Sequence, residues 1–211
     1  MLLGRPLIAS QPGVCLLSYL YHPYYCEENI WHLCQRPEFS HSKVLVIASK
    51  DSAFPMLQQR SAAAPYVPLF WDYHVIMLWH DQDQQSHILD FDTTLGFCTL
   101  VKQYFQQSFM DEKHLPPAFI PLFRVIPAKT YATRLQSDRR HMKTGQNWLA
   151  PPPAWPAISA TTSNLHKFTD MTDHDYGQIM TAAELLQHCQ QLSETKVEFT
   201  RPYRFSEKGA V

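Results

Sequence analysis

Sixteen prolines are scattered through the 211 residues of this chain, and they set the terms on which it can fold. Proline locks φ and lacks a backbone N–H, so it ends helices and stays out of central strands. Short elements joined by fixed loops are therefore expected. Between the prolines the chain is apolar enough to build a core: 45% of residues are hydrophobic and 18% are charged. That balance excludes a wholly disordered chain and suits one globular domain spanning residues 1–211. No apolar run reaches the length of a membrane span. The first twenty residues faintly resemble a signal peptide, but Pro6 and Pro12 interrupt them and no clean apolar stretch precedes a cleavage site, so secretion is not expected. Eighteen basic and 19 acidic side chains give a net charge of -1. This balance offers no basic excess for nucleic acid or for an anionic membrane.

The five cysteines, Cys15, Cys26, Cys34, Cys98 and Cys189, are odd in number and irregularly spaced. They form no CxxC pair, and the eleven histidines form no HExxH, so neither a disulfide framework nor a metal site is expected. Asp173–Asp175 reads as a solvated loop. The six glycines form no phosphate-cradling loop, so no nucleotide cofactor is expected. Reduced thiols fit a cytosol-like compartment.

Residues 24–36 read as a helix starting near Cys26, with Ile30, Leu33 and Cys34 forming a buried stripe. The β-branched run Lys43–Ser49 reads as a buried strand, and residues 50–65, with Pro55 and Pro65, as a loop. Trp71–His80 and Ser86–Leu95 read as two strands joined by the polar Asp81–Gln85, an antiparallel hairpin. Helices are expected over 98–109 and 128–136, and a strand over 122–126. Residues 137–163 read as a long loop, and loops of that length are often functional. Thr181 and Glu184 suggest a capping box opening a helix to Leu192, followed by a polar tail. The class is α+β: one domain with a mostly antiparallel sheet flanked by helices.

Two features carry chemistry. A cysteine in the first turn of a helix sits near unpaired N–H groups and the positive dipole end, which favour thiolate, although an arbitrary cysteine is more often a small core residue. Cys26 holds that position. In the hairpin, His74 and Asp90 share an index sum centred on residue 82, inside the polar turn, which makes them cross-strand neighbours. A carboxylate there would fix the imidazole tautomer and leave the other nitrogen for a nucleophile. A shift of centre by one or two residues would bring Asp92 or His80 into competition. His141 is a spare candidate base.

Several strings resemble one family. They are YCEENIW (Tyr25–Trp31), WDYHV (Trp71–Val75), the D-x-D-T run Asp90–Thr93, FRVI (Phe123–Ile126), SDR-x-HMK (Ser137–Lys143), and Asn147–Trp148 followed by PPP. In order and spacing they resemble protein N-terminal glutamine amidohydrolases, over roughly residues 24 to 185; the first twenty residues and the tail do not match. The resemblance implies a papain- or transglutaminase-like fold and a triad of Cys26, His74 and Asp90. It implies conversion of an N-terminal glutamine of a protein or peptide into glutamate with release of ammonia, without metal or other cofactor, feeding an N-degron pathway. A cytosolic monomer is expected, with the nucleus a further compartment. Another cysteine hydrolase, a transglutaminase-like acyl transferase and a non-catalytic interaction module are the competing readings. Specificity for a free α-ammonium needs a carboxylate or carbonyls. Asp72, Asp138, Glu27 and Glu28 are candidates, though acids at a helix start also serve the dipole. Tyr25 and Trp71 could wall the pocket, and the loop from Ser137 to Trp148 could form its rim.

Overall fold

The computed structural model describes residues 19–199 apart from Ser52, with side chains up to Gln191. The N-terminal segment with Cys15 and the last part of the polar tail lie outside the described residues. The elements run α1 (Cys26–Cys34), β1 (Lys43–Ala48), β2 (Phe54–Met56), β3 (Leu69–Trp71), β4 (His74–His80), β5 (Ser86–Leu89), β6 (Cys98–Leu100), α2 (Val101–Ser108), β7 (Leu122–Pro127), α3 (Ala128–Arg134), β8 (Lys143–Thr144), β9 (Asn147–Trp148), α4 (Leu165–Thr169), β10 (Gln178–Met180) and α5 (Ala182–Phe199). Six strands form one sheet in the order β10-β7-β1-β4-β5-β6, with every neighbour antiparallel. No described helix is long and apolar enough to cross a membrane.

Alternation along the strands sends successive side chains to opposite faces. Val44, Val46, Val75, Met77 and Ile126 meet Ile30 and Leu33 of α1, Tyr131 of α3 and Phe168 of α4. Leu45, Ile47, Ile76, Leu78 and Phe123 meet Tyr104 and Phe105 of α2 and Leu185 of α5. The sheet is thus covered on both faces, which is why β1 reads as an unbroken apolar run. Each fully buried large aliphatic or aromatic side chain contributes about 1.5–3 kcal/mol.

Several expected boundaries move. The strand expected over Trp71–His80 is two, β3 and β4. The loop at 50–65 supplies β2, which pairs with β3. The second hairpin strand ends at Leu89, not Leu95, and the helix expected from Cys98 begins at Val101. The hairpin register is also corrected. Met77 lies opposite Leu89 and His80 opposite Ser86, so the centre is residue 83 and not 82. Asp81 sets this: its N–H donates to the Gln85 carbonyl, its Oδ1 accepts the Gln85 N–H, and its Oδ2 meets His87 Nε2 at 2.9 Å. The result is a five-residue loop. The expected capping box on α5 is present: Glu184 accepts from the Thr181 N–H at 2.8 Å, and Thr181 Oγ1 accepts from the Glu184 N–H at 3.3 Å.

Arg124, on β7, is completely buried, and the charges of Asp173, Asp170 and Asp175 partly offset the cost of that burial. Its guanidinium donates to the carbonyls of Phe168, Asp170, Asp173 and Tyr176. One strand residue thereby shapes the whole 168–176 connection, including the stretch read as a solvated loop. Gly177 closes that connection at φ +77, where a Cβ would collide with the Val125 carbonyl oxygen.

Candidate active site

The approach to α1 is tightly determined. Tyr24 holds a left-handed φ of 68, unusual for a side-chain-bearing residue. The Asn29 side chain brackets the backbone of His22, with both bonds 2.9 Å. The Tyr25 carbonyl accepts the first helical bonds, from the N–H groups of Glu28 and Asn29. Cys26 is therefore the first residue of the helix, and its own N–H is among those the helix leaves unpaired.

The Cys26 sulfur accepts from the backbone N–H of Val75, the residue next to His74, so α1 sets the cysteine against the start of β4. The cysteine is almost completely buried. Burial, followed by the negative charge of Glu27, pushes its thiol well above the ordinary value, and the Val75 N–H only partly opposes this. Burial thus works against the thiolate that the helix start was expected to favour.

His74 and Asp90 are joined by a hydrogen bond of 3.0 Å between Nε2 and Oδ1. They are not opposed in the ladder. His74 pairs with Ile47 of β1, three residues beyond the last β4–β5 pair, and Asp90 lies just past the end of β5. The freed chain turns Asp90 inward. Its Oδ1 also accepts the Asp92 N–H at 2.9 Å, and its Oδ2 accepts the Tyr104 hydroxyl at 2.7 Å. Burial opposes charge on both partners. For Asp90 the imidazole, the Tyr104 hydroxyl and the Asp92 N–H prevail, and its pKa falls. For His74 the Asp90 carboxylate prevails and its pKa rises. An ionised Asp90 can only accept, so Nε2 carries the proton and Nδ1, buried and without a hydrogen bond, is the nitrogen left for chemistry. Trp71 stacks on the ring, with centroids 4.7 Å apart and planes inclined by 17°, and its own N–H is held by Gln59.

Asp92 stands beside this pair without bonding His74. It accepts the Tyr21 hydroxyl at 2.8 Å, and burial together with the Asp90 charge raises its pKa. Donor atoms of His74, Asp90 and Asp92 lie within 4.8 Å of one another, a spacing that could hold a cation. Both Asp90 oxygens and one of Asp92 already accept hydrogen bonds, so the donor set fits a proton relay better than a metal site. His80 sits at the far end of the hairpin, opposite Ser86.

The other candidates divide. Tyr25 is buried, donates to the Ala150 carbonyl at 3.1 Å and lies 5.8 Å from the Arg139 guanidinium. Glu28 accepts from Arg139 at 2.7 and 2.8 Å and from the Trp155 indole at 2.7 Å. Asp138 is closed by Arg140, and Asp72 is exposed with Oδ1 on the Tyr73 N–H. Glu27 is buried beside Tyr73 and His141. The 137–155 segment is therefore a strap tied to the start of α1, made of one 3-10 turn and the small β8–β9 ribbon. Tyr104, Tyr21 and Arg139 escaped the sequence reading. Tyr104 lies on the apolar face of α2 and reads as core; the one available signal was that a buried tyrosine hydroxyl needs an acceptor.

Comparison with known proteins gives the lineage. The family model described as N-terminal glutamine amidase matches residues 21–189. A protein N-terminal glutamine amidohydrolase of Danio rerio is 35% identical over 179 residues, covering 80% of this chain and 88% of that protein. Those of Drosophila ananassae and Drosophila virilis are each 36% identical over 153 residues, 69% of this chain and 74% of theirs. A match over most of its length, spanning α1, the hairpin and the strap, makes this chain a member of the N-terminal glutamine amidase family.

Proposed function

We propose that this protein hydrolyses the side-chain amide of an N-terminal glutamine in peptides and proteins, giving glutamate and ammonia, with Cys26 as nucleophile, His74 as acid–base and Asp90 as the group that orients and charges the imidazole. The observation that carries this reading is the His74–Asp90 pair, which leaves Nδ1 without a hydrogen bond, one residue from the Val75 N–H that meets the sulfur of the helix-start cysteine.

The raised thiol pKa shapes the mechanism. With sulfur held as the thiol, the neutral form of the imidazole is the one that can act: Nδ1 takes the thiol proton as sulfur attacks the amide carbon, and the Asp90 carboxylate stabilises the imidazolium that forms. The oxyanion develops near the unpaired N–H of Cys26. Collapse breaks the C–N bond, and the imidazolium returns its proton to the departing ammonia, leaving a thioester. Nδ1 next accepts a proton from water as the hydroxyl adds to the thioester. Loss of the thiolate, which recovers that proton, yields glutamate. The scheme calls on no cofactor. The product exposes an N-terminal glutamate, the kind of terminus that arginylation can mark for degradation, and we place the enzyme at that step in the cytosol or nucleus.

Mass spectrometry of a Gln-initiated peptide tests the reading, with N-acetylated and Asn-initiated copies and with Cys26→Ala beside wild type. A gain of about 1 Da, the amide-to-acid exchange, is expected on the free-Gln peptide alone and only with wild type. Turnover of internal glutamine, or transfer to an added amine, would instead favour a transglutaminase-like enzyme.

A further inference from the structure

The carboxylates around Cys26 differ in what already holds them. Glu28 is gripped by Arg139 and Trp155, Asp138 by Arg140, and Asp90 by three donors. Glu27 is different. It follows the nucleophile in the chain and is completely buried. Its Oε2 accepts the Tyr73 hydroxyl at 3.2 Å, but its Oε1 is buried and accepts no hydrogen bond. The side chain facing Oε1 is the imidazole of His141, with Nε2 at 3.2 Å, and the same nitrogen lies 3.1 Å from the Tyr73 oxygen. His141 Nδ1 is also buried without a partner. One residue further along α1, the Glu28–Arg139 fork is complete. The Glu27–His141 pair is not: each member keeps a buried polar atom unmet, and the imidazole rides on the strap with its edge open to solvent.

We propose that Glu27 receives the α-ammonium of the N-terminal glutamine, and that His141 holds that position in the free enzyme. This deepens the functional reading above and rests on it. A buried carboxylate left without a cation is strongly disfavoured, so the place must be filled before substrate arrives. A primary ammonium fills it better than an imidazole, because its three N–H donors can meet Oε1 and the Tyr73 oxygen together. In an extended glutamine the α-nitrogen lies about 5 Å from the amide carbon, and Glu27 is near enough to Cys26 for its charge to act on the thiol. An acetylated or internal glutamine brings a neutral amide and a further carbonyl, which leaves Glu27 uncompensated. Chain-end specificity would then reside in the residue adjoining the nucleophile, with the strap yielding as His141 withdraws.

The test compares kcat/KM for a Gln-initiated peptide with that for its desamino copy, which keeps the side-chain amide and replaces the ammonium by hydrogen. Wild type is expected to prefer the ammonium on the order of a hundredfold, and Glu27→Gln to reduce that ratio to within about threefold, chiefly through KM. His141→Ala is expected to keep the preference. If Glu27→Gln slows both peptides equally and the ratio stays at its wild-type value, Glu27 acts on Cys26 and the proposal fails. Should Glu27→Gln not fold, Glu27→Asp keeps the charge but withdraws it by one methylene; a ratio equal to wild type there also overturns the assignment. Wild type that turns over neither peptide refutes the functional reading itself, and this inference falls with it.

Discussion

At the scale of single residues, the site is governed by the contest between burial and partners. Burial drives the Cys26 thiol up and, taken alone, would drive His74 down. Asp90 reverses the second effect and leaves the first. Removing the charge should therefore move the imidazole in a defined direction. Asp90→Asn is expected to lower kcat on the order of 10⁴-fold, by analogy with the loss of tautomer control in serine proteases. The acid limb of its pH–rate profile should also move down, because burial then acts on His74 with only the weaker influence of Asp92 against it. In wild type that limb should lie above the ordinary histidine value of 6.5. A limb below 6.5 in wild type would mean that Asp90 does not charge the ring. Asp92→Asn should be milder, since Asp92 bonds Tyr21 and touches the imidazole only through its field. The helix start at Cys26 and the two hairpin arms that carry His74 and Asp90 were legible in the sequence, whereas the expected cross-strand register was not what brings the last two together. The pKa values of the three were not legible, because they depend on how completely distant segments cover them.

At the scale of elements, α1 is the piece on which the site is assembled, and the strap fixes it from outside. Arg139 reaches Glu28 from a left-handed backbone position, φ 64, and its guanidinium also donates to the carbonyls of Pro153 and Trp155. Both partners of this ion pair are buried. Arg139→Met should therefore cost about 3–5 kcal/mol in urea unfolding, the penalty for an orphaned buried charge. Glu28→Gln with Arg139→Met together should recover part of that loss, and a double variant no more stable than the single one would argue against the pair as the tether. The strap was read from sequence as a long loop of functional character, but its anchoring was invisible. Ion pairs 111 residues apart leave no periodicity to read. The hairpin gives the complementary lesson. Alternation found its strands, whereas register depended on Asp81 closing its own loop, so the centre moved by one residue and the ladder stopped short of His74 and Asp90.

At the scale of the molecule, the candidate triad lies where the two helical layers converge on the sheet. Cys26 comes from α1 on one face, the Tyr104 hydroxyl supporting Asp90 comes from α2 on the other, and His74 lies between them. No single layer contains the site, so its electrostatics are linked to global stability. The signs of that linkage are fixed. The raised pKa of His74 contributes stability that is fully present below 6.5 and disappears as pH rises through the folded value. The lowered pKa of Asp90 contributes stability present above 3.8 that disappears as pH falls through its folded value. The two shifts describe one interaction, so it stabilises most between 3.8 and 6.5. Urea unfolding of wild type and Asp90→Asn at pH 5 and pH 9 measures it. The stability gap between the two proteins should be wider at pH 5 and narrower at pH 9, because the contribution of the raised His74 pKa declines as pH rises through it. A gap that is equal at both values would show that Asp90 is held by Tyr104 and the Asp92 N–H alone. The imidazole would then be a passive neighbour, not the charged partner that the proposed mechanism requires.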